Sequence, residues 1–599
     1  KNVSNYCNIG LCRDNFRETF QWGFPRENKP MTPLQPRLLY GFVLSGLAAL
    51  SLVVGSATAQ TVTTPSGTFP SQTYQGVVAG GTTDFLGIRY AAAPTGALRF
   101  AAPTPPTGVT GTINAVQFGS SCPQTPTPFG QGSIDEDCLF LNIFIPNPPV
   151  SSKNRFPVMV FIHGGAFVTG EGSDYNATDL ANQGKVVVVT INYRLGILGY
   201  MANAALDAES VSGASGNYGL ADQQFALQWV RQNIAAFGGN PDQVTIFGES
   251  AGGFSVCANV VSPVAAGLFQ RAISESGPCA TNFPTKAAAE TEGAGIAAAL
   301  GCAQATSAAT VACLRALPVS DILAVQNGIT SQSSLASLTA FFPNVDGVLI
   351  PEEPLQALAT GEFNHLPLLM GTNHDEGRLF IALDFDLNPE AGPLTAAEYP
   401  TAVAGIAAAA VAEGGSNNPA LVAQISEEIL QRYPLSAFPS PDLALSAIFT
   451  DSAFSCPARL TRQLTSLQVA TFGYEFNDEN APMIFLPPVS FPYGATHTDE
   501  LQFLFPFGGT LTANEQTLAT TMKSYWTNFA AHGNPNQLGQ PFWPEFGILF
   551  NDDQSLTAPT PAVEFNFAKV HQCNFWTAVL LQTSLPDLAE QLRSSSIAH

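Results

Sequence analysis

The sequence predicts an α/β fold, with a large, mostly parallel central sheet flanked by helices. Three observations support this: apolar runs of strand length, helical patterns between them, and turn residues at their ends. Continuous apolar strands are typical of a sheet covered on both faces, and alternation of strands with helices favours parallel pairing. The predicted strands are residues 157–162, 185–192, 244–247, 271–274, 366–370 and 469–476.

Helices are predicted between these strands and in one long insertion. In residues 219–237, Leu220, Trp229 and Ile234 share one face of a helix. The segment before residue 149 is rich in β-forming, Gly and Pro residues, and the Ala-rich region 286–441 is predicted to form helical insertions. We therefore expect residues 60–599 to form a single domain, with its chemistry at the carboxyl ends of the strands.

Charge and composition exclude some classes of function. The 599 residues include 23 Lys and Arg against 46 Asp and Glu, a formal net charge of −23. Because this charge repels phosphate backbones, nucleic acid is not an expected partner. No zinc-type spacing of Cys and His is found, so the sequence predicts no metal and no cofactor.

The first 59 residues are predicted to lie outside the folded domain and to contain a targeting segment. Met31 is followed by an apolar run at residues 38–54 and by the small-residue site Ala57-Thr58-Ala59, so residues 31–59 are typical of a secretory signal peptide. Because the apolar run is long, an uncleaved membrane anchor is the alternative. Residues 1–30 are expected to be an artefactual extension, and the protein is expected to be secreted, with no stable membrane partner.

Ten cysteines are compatible with export, since an even number favours disulfides over free thiols in an exported chain. Spacing does not fix their connectivity. The candidate pairs by position are Cys122 with Cys138, Cys302 with Cys313 and Cys456 with Cys573, with Cys257 and Cys279 as a possible fourth. Asn176 lies in an Asn-Ala-Thr triplet and is a glycosylation acceptor if the chain is exported.

The central chemical motif is GESAG at residues 248–252. It follows predicted strand 244–247 and precedes a helical stretch, so its glycines permit a sharp strand-to-helix turn with the Ser250 hydroxyl at the tip. The start of that helix directs free N–H groups at the same place. The short pattern alone is weak evidence, and its position between strand and helix makes Ser250 the candidate nucleophile.

A serine nucleophile needs a base to take its proton and a third group to orient the base. With such a turn the chain order is Ser, acid, His, which leaves His497, His532, His571 and His599. We favour His497 because it lies in a polar loop, with a surface histidine as the alternative. For the acid, Asp375 and Glu376 both follow strand 366–370, and the local pattern does not separate them.

Donors for a developing oxyanion are predicted in IHGGAF at residues 162–167, which follows a predicted strand. Glycines there let backbone N–H groups approach a substrate, and the N–H of Ala251 supplies another donor. A glycine-rich turn without chemistry is the alternative.

These motifs resemble those of type-B carboxylesterases, the family that includes cholinesterases, fungal lipases and sterol esterases. The resemblance rests on FGGNPDQVTIFGESAG at residues 237–252 and EDCLFLNI at 136–143, with further matches at 192–196, 216–223 and 274–277. It extends from about residue 61 to the C-terminal helix. It implies the α/β-hydrolase fold and a secreted serine hydrolase that cleaves carboxylic esters without a cofactor.

The resemblance also implies residue roles. The triad acid falls on Glu376 and the base on His497, and the oxyanion donors fall on Gly165, Ala166 and Ala251. The family often has Gly where this chain has Ala166, and members with Ala tend to accept bulky alcohol groups. The disulfides of the family match Cys122–Cys138, Cys302–Cys313 and Cys456–Cys573.

The substrate is predicted to be a small-molecule or lipid ester. Lipases of the family often carry a long lid in the loop closed by the first disulfide, whereas Cys122 and Cys138 enclose only fifteen residues. A reduced lid favours soluble esters, with a lipase or sterol esterase acting on long-chain lipid esters as the alternative. The alternative of another class is a non-catalytic cholinesterase-like binding protein, which usually lacks one triad residue. The sequence does not indicate the oligomeric state.

Overall fold

The computed structural model describes residues 60–148, 155–330, 340–547 and 552–584. The predicted extension at 1–30 and signal peptide at 31–59 lie outside the described residues. From Gln60 onwards these residues belong to one compact unit. Among them, no single helix is long and apolar enough to cross a membrane, although the bent pair Ser307–Ala316 and Val319–Thr330 meets the criteria of length and composition.

The described residues contain one sheet of thirteen strands, β1 to β13. They are Gln60–Thr63, Thr73–Ala79, Thr82–Arg89, Thr112–Asn114, Phe140–Pro146, Phe156–Ile162, Val187–Ile191, Gly239–Glu249, Arg271–Glu275, Leu368–Asn373, Thr471–Phe476, Asp553–Leu556 and Ala562–Glu564. The order is β1-β2-β3-β5-β7-β6-β8-β9-β10-β11-β12-β13, and β4 pairs with β2. In this order, the neighbouring strands β7, β6, β8, β9, β10, β11 and β12 pair in parallel. The pairs on either side of them are antiparallel, apart from β2 with β4. The predicted mostly parallel sheet is confirmed.

Helices α1 to α18 cover the sheet and form the insertions. They are Thr178–Gly184, Gly196–Tyr200, Ala204–Asp207, Tyr218–Asn233, Ala251–Val261, Lys286–Ala299, Ser307–Ala316, Val319–Thr330, Pro354–Thr360, Gly377–Ile381, Tyr399–Glu413, Pro419–Arg432, Pro441–Phe449, Cys456–Thr465, Leu501–Leu504, Ala513–His532, Phe567–Val570 and Cys573–Ser584. The predicted helix at 219–237 is α4 followed by a 3₁₀ turn over Ile234–Phe237.

Strand bounds differ from the prediction where backbone geometry overrides apolar content. Lys185 has φ 51° and ends α1, so β7 begins at Val187. Pro367 has no N–H to donate, and β10 begins one residue later at Leu368. The N–H of Val469 bonds to the Thr465 carbonyl at the end of α14, so β11 begins at Thr471.

The core lies on both faces of the sheet because the central strands are apolar on both sides. Every residue of β7 is buried. One apolar cluster includes Val160, Val189 and Trp229, and a second on the other face includes Phe161 and Trp526. A third cluster packs the inserted helices against the C-terminal helix α18 and contains Phe380, Phe454 and Trp576, among others.

Cysteine pairs tie the loops and insertions to this core. The structure brings four pairs to disulfide distance, with Cα–Cα separations of 4.9 to 5.4 Å. They are the three predicted pairs, Cys122–Cys138, Cys302–Cys313 and Cys456–Cys573, and the possible fourth, Cys257–Cys279.

Candidate active site

Ser250 lies at the turn between β8 and α5. Its φ of 56° is in the left-handed region, which is uncommon for a residue with a side chain, so the surrounding contacts must hold this conformation. Its N–H donates to the Glu275 carbonyl at the end of β9, 2.9 Å away. The turn is therefore anchored to the neighbouring strand.

The two glycines of the motif allow β8, α5 and β6 to approach closely. A Cβ on Gly252 would lie 2.0 Å from the Ile162 carbonyl oxygen at the end of β6, and a Cβ on Gly248 would lie 2.5 Å from the same atom. Neither position has room for a side chain, because the obstructing atom belongs to the backbone.

Glu376 and His497 are hydrogen-bonded, with 2.6 Å between Glu376 Oε2 and His497 Nδ1. The other carboxylate oxygen of Glu376 accepts from the Asn373 N–H at 2.8 Å. Asp375 is directed elsewhere: it accepts from the Ala495 N–H at 3.1 Å and pairs with Arg378 at 2.7 Å. The structure thus distinguishes the two candidate acids, and it is Glu376 that contacts the histidine.

The loop carrying His497 is bonded directly to the loop carrying Glu376. The Asn373 side-chain amide donates to the Thr496 carbonyl at 2.7 Å, and the Leu379 N–H donates to Thr496 Oγ1 at 2.9 Å. The His497 ring packs against Phe380 and Phe454, with centroid distances of 4.9 and 5.1 Å. These contacts fix the orientation of the imidazole.

The other candidate histidines lie apart from this pair. His532 is exposed at the C-terminal end of α16. His571 is buried between Asp451 and Glu475. His599 lies outside the described residues.

A cavity of about 520 Å³ is lined by four of the six predicted site residues, whereas Glu376 and Ala251 are not among its lining residues. Ser250, His497, Gly165 and Ala166 all line it. Phe129, from the short loop between Cys122 and Cys138, lines it as well, so this loop contributes to the wall of the cavity. The remaining walls are largely apolar and include Phe380, Leu383, Phe485 and Phe507.

The segment after β6 carries Gly165 and Ala166, two of the predicted oxyanion donors. Gly165, Ala166 and Phe167 have consecutive positive φ angles of 105°, 52° and 60°. Ala251 is the first residue of α5, where a helix leaves its N–H groups without intrahelical partners. At Gly164, a Cβ would lie 2.8 Å from the Glu249 carbonyl oxygen and 3.2 Å from Ser250 Cβ. The segment after β6 therefore packs directly on the turn that carries Ser250.

Three buried carboxyl groups near Ser250, Glu376 and His497 were not predicted as site residues from the sequence: Glu249, Glu275 and Glu500. Glu249 Oε1 lies 3.2 Å from His497 Nε2. Burial raises the pKa of Glu249 well above its usual range, and the neighbouring carboxyls raise it further, which favours the protonated form. The only sequence signals are positional: Glu249 precedes the serine, and Glu500 follows the histidine by three residues.

Burial also shifts the pKa of two groups near the site, Glu275 and His163. Burial raises the pKa of Glu275 to about 8, against a hydrogen bond from Trp526 Nε1 that lowers it. Burial lowers the pKa of His163, the residue after β6, to about 4. His163 is therefore neutral near pH 7, and its ring stacks on Tyr193 with 4.4 Å between centroids.

This fold and cavity define an α/β hydrolase. The Carboxylesterase family model matches residues 58–576, and the chain belongs to this family. It is 34% identical over 534 residues to pyrethroid hydrolase Ces2e of Rattus norvegicus, covering 86% of this chain and 88% of that protein. It is 36% identical over 497 residues to the para-nitrobenzyl esterase of Bacillus subtilis (strain 168), covering 80% and 91%.

Solved structures of esterases share the fold of this chain. A pNB esterase structure superposes with a TM-score of 0.71 at 32% identity, covering 87% of this chain and all of the other. The chain is thus a carboxylic ester hydrolase, as the resemblance in the motifs implied.

Proposed function

We propose that the protein hydrolyses carboxylic esters through an acyl-enzyme, with Ser250 as nucleophile, His497 as general base and Glu376 as the acid that orients it. The observation that carries this proposal is the 2.6 Å hydrogen bond between Glu376 and His497, at the wall of the cavity that Ser250 also lines. The carboxylate accepts the Nδ1 proton, so the Nε2 lone pair can accept the Ser250 proton in place of its present 3.2 Å contact with Glu249 Oε1.

The reaction proceeds in two steps. Ser250 Oγ attacks the ester carbonyl carbon while His497 Nε2 takes its proton, and the carbonyl oxygen gains the negative charge. The N–H groups of Gly165, Ala166 and Ala251 stabilise that charge. The protonated His497 then gives its proton to the leaving alcohol, and water, activated by the same histidine, releases the acid and restores Ser250.

The neighbouring carboxyl groups favour this charge distribution. The imidazolium that forms during attack is stabilised by the Glu376 carboxylate. Because the protonated form of Glu249 is favoured, Glu249 adds little competing negative charge beside Nε2. Only one carboxylate then sets the orientation of the ring.

Replacement of the nucleophile tests the mechanism. We expect Ser250→Ala to lower kcat by at least ~10⁴-fold and to abolish labelling by a fluorophosphonate probe, with an unchanged circular dichroism spectrum. Ser276→Ala is the matched control, since Ser276 is also buried with a positive φ, 49°, but is not among the residues that line the cavity. Equal activity of Ser250→Ala and the control would refute the proposed nucleophile.

We propose that soluble esters, rather than emulsified lipid esters, are the preferred substrates. The short loop that contributes Phe129 to the cavity wall supports this, because it leaves little chain for a mobile lid. Rates on p-nitrophenyl esters of increasing chain length should show no jump when the substrate passes its solubility limit. A sharp jump at the interface would instead indicate a lipase or sterol esterase.

Export to an oxidising compartment is part of the proposal. Four cysteine pairs at disulfide distance support it, and so does the exposure of Asn176, which the predicted glycosylation requires. Mass spectrometry of protein collected from the medium should give an N terminus at about Gln60 and a glycan on Asn176. Protein found only inside cells, with free thiols, would refute this part.

A further inference from the structure

Outside the catalytic cavity, two histidines and a glutamate converge where β10 and β11 end. His374 follows β10, Glu475 lies on β11, and His571 precedes α18. The Glu475 Oε1 atom lies 2.5 Å from His571 Nε2 and 3.0 Å from His374 Nδ1, and one ligand atom from each of the three residues lies within 4.8 Å of the others. We propose that these three side chains form a binding site for a divalent transition-metal ion of the zinc class.

The donor set is the first argument. Two imidazole nitrogens and one carboxylate oxygen are a common set of protein ligands for zinc, and three such ligands leave a fourth position for water. With bonds of about 2.0 to 2.2 Å, tetrahedral ligand atoms lie about 3.3 Å apart. Bringing the present atoms to that spacing requires shifts on the order of 1 Å, which side-chain rotation can supply.

Hydrogen bonds already hold the ligands in the orientation that a metal would need. His571 Nδ1 is 2.6 Å from Asp451 Oδ1, an arrangement that directs Nε2 at Glu475 and His374. The other oxygen of Asp451 accepts from the Tyr433 hydroxyl at 2.6 Å. Metal-ligating histidines ordinarily make such a bond to a carboxylate, which sets the tautomer and the ring orientation.

The carboxylate ligand is oriented in the same way. Glu475 Oε2 accepts from the Asn477 side-chain amide at 3.0 Å, which leaves Oε1 to face the two histidines. Two residues after His571, Cys573 is at disulfide distance from Cys456 on α14, so the segment carrying this ligand is tied to the fold. The His374 N–H donates to the Phe476 carbonyl at 3.0 Å, so all three ligands lie on supported backbone.

A metal ion also has a route to the site. His374 and His571 line a cavity of about 530 Å³, separate from the catalytic one, and the His374 side chain is 30% exposed. The cations that share this cavity make other contacts: Arg378 pairs with Asp375 at 2.7 Å, and the Arg432 guanidinium lies 4.5 Å above the Phe575 ring. The carboxylates of Asp451 and Glu475 therefore determine the charge next to His571.

Zinc titration of the full chain, purified without a histidine tag, tests the site. We expect isothermal titration calorimetry to give one Zn²⁺ per chain with a Kd below about 10 µM. His374→Ala should raise that Kd by at least ~10-fold. His532→Ala is the matched control, because His532 is an exposed histidine outside the cluster, and it should bind zinc as the wild type does.

A second variant keeps the test decisive if His374→Ala misfolds. Glu475→Gln preserves the shape of the side chain and removes the ligand charge, so it should weaken zinc binding to a similar extent. The proposal is overturned if the wild type does not bind Zn²⁺ with a Kd below about 10 µM, or if folded His374→Ala and Glu475→Gln bind it as tightly as the control. Ester hydrolysis is not the readout, so either result leaves the proposed catalytic function to its own test.

Discussion

Replacing Glu376 with Gln removes the negative charge that faces His497 and changes little else. Glu376 is fully buried, and its two oxygens have different partners, the Asn373 N–H at 2.8 Å and His497 Nδ1 at 2.6 Å. In the variant, the amide oxygen is expected to keep the bond from Asn373. The NH₂ group must then face Nδ1, which forces the proton of the neutral ring onto Nε2.

That tautomer cannot accept the proton of Ser250, so the loss should be large. The corresponding Asp-to-Asn change in a serine protease lowers kcat about 10⁴-fold with the geometry intact. A factor of 10⁴ corresponds to about 5.4 kcal/mol of activation free energy. We therefore expect Glu376→Gln to lower kcat for p-nitrophenyl butyrate by about 10³- to 10⁴-fold, with a small change in KM.

Asp375→Asn is the matched control, because the two acids are adjacent and are both buried. The Asn side-chain oxygen can still accept from the Ala495 N–H, although the ion pair with Arg378 is lost. We expect a decrease of no more than about 10-fold, which corresponds to about 1.4 kcal/mol, the size of one hydrogen bond. If Asp375→Asn loses as much activity as Glu376→Gln, or if Glu376→Gln stays within 10-fold of wild type, the assignment of the acid is wrong.

Two further predictions concern packing and protonation. Gly164→Ala should lower kcat by about 10²-fold, because the added Cβ displaces Ser250. Gly295→Ala is the control, since its Cβ would meet nothing within 4 Å, and it should leave kcat unchanged. Similar rates for both variants would contradict this packing argument. Since Glu275 holds its proton more tightly in the folded chain, with a pKa of about 8 against 4.5, its contribution to stability is lost as the pH rises from 4.5 to 8. Tm should therefore decrease between pH 5 and pH 8, and the decrease should be smaller for Glu275→Gln than for the wild type. The exposed control Glu362→Gln should behave as the wild type does, and equal decreases in all three proteins would contradict the assigned pKa.

The sequence allowed the central sheet to be predicted because burial on both faces requires continuous apolar strands, and β6 and β7 meet this requirement. The full extent of β8 could not be predicted from the sequence. Its first residues, Gly239 to Gln243, are polar or conformationally permissive, and they pair irregularly with β6. Their strand conformation depends on a neighbouring strand rather than on local composition. The nucleophile turn was predictable because its glycines and serine are contiguous in the chain.

Contacts between distant segments could not be predicted in the same way. The choice between Asp375 and Glu376 depends on which carboxyl group meets a loop more than a hundred positions away, and local pattern contains no such information. His571 was one of four candidate bases by chain order, and its contacts with Asp451 and Glu475, which come from two other elements, are not visible in local pattern. The resemblance in the motifs selected Glu376 over Asp375 as the proposed acid, a choice that the local sequence pattern left open.

The direct bonding of the Thr496 loop to the Asn373 loop bears on how this enzyme can evolve. The proposed acid and base, Glu376 and His497, lie 121 positions apart, yet Asn373 and Leu379 bond directly to Thr496 and tie the two loops together. Within the intervening segment, Phe380 and Phe454 pack against the His497 ring, so changes at these two positions would disturb the proposed pair. Leu383 lines the same cavity and is not one of the rings packed against His497, so the cavity wall can change shape at this position while the contacts of His497 stay in place.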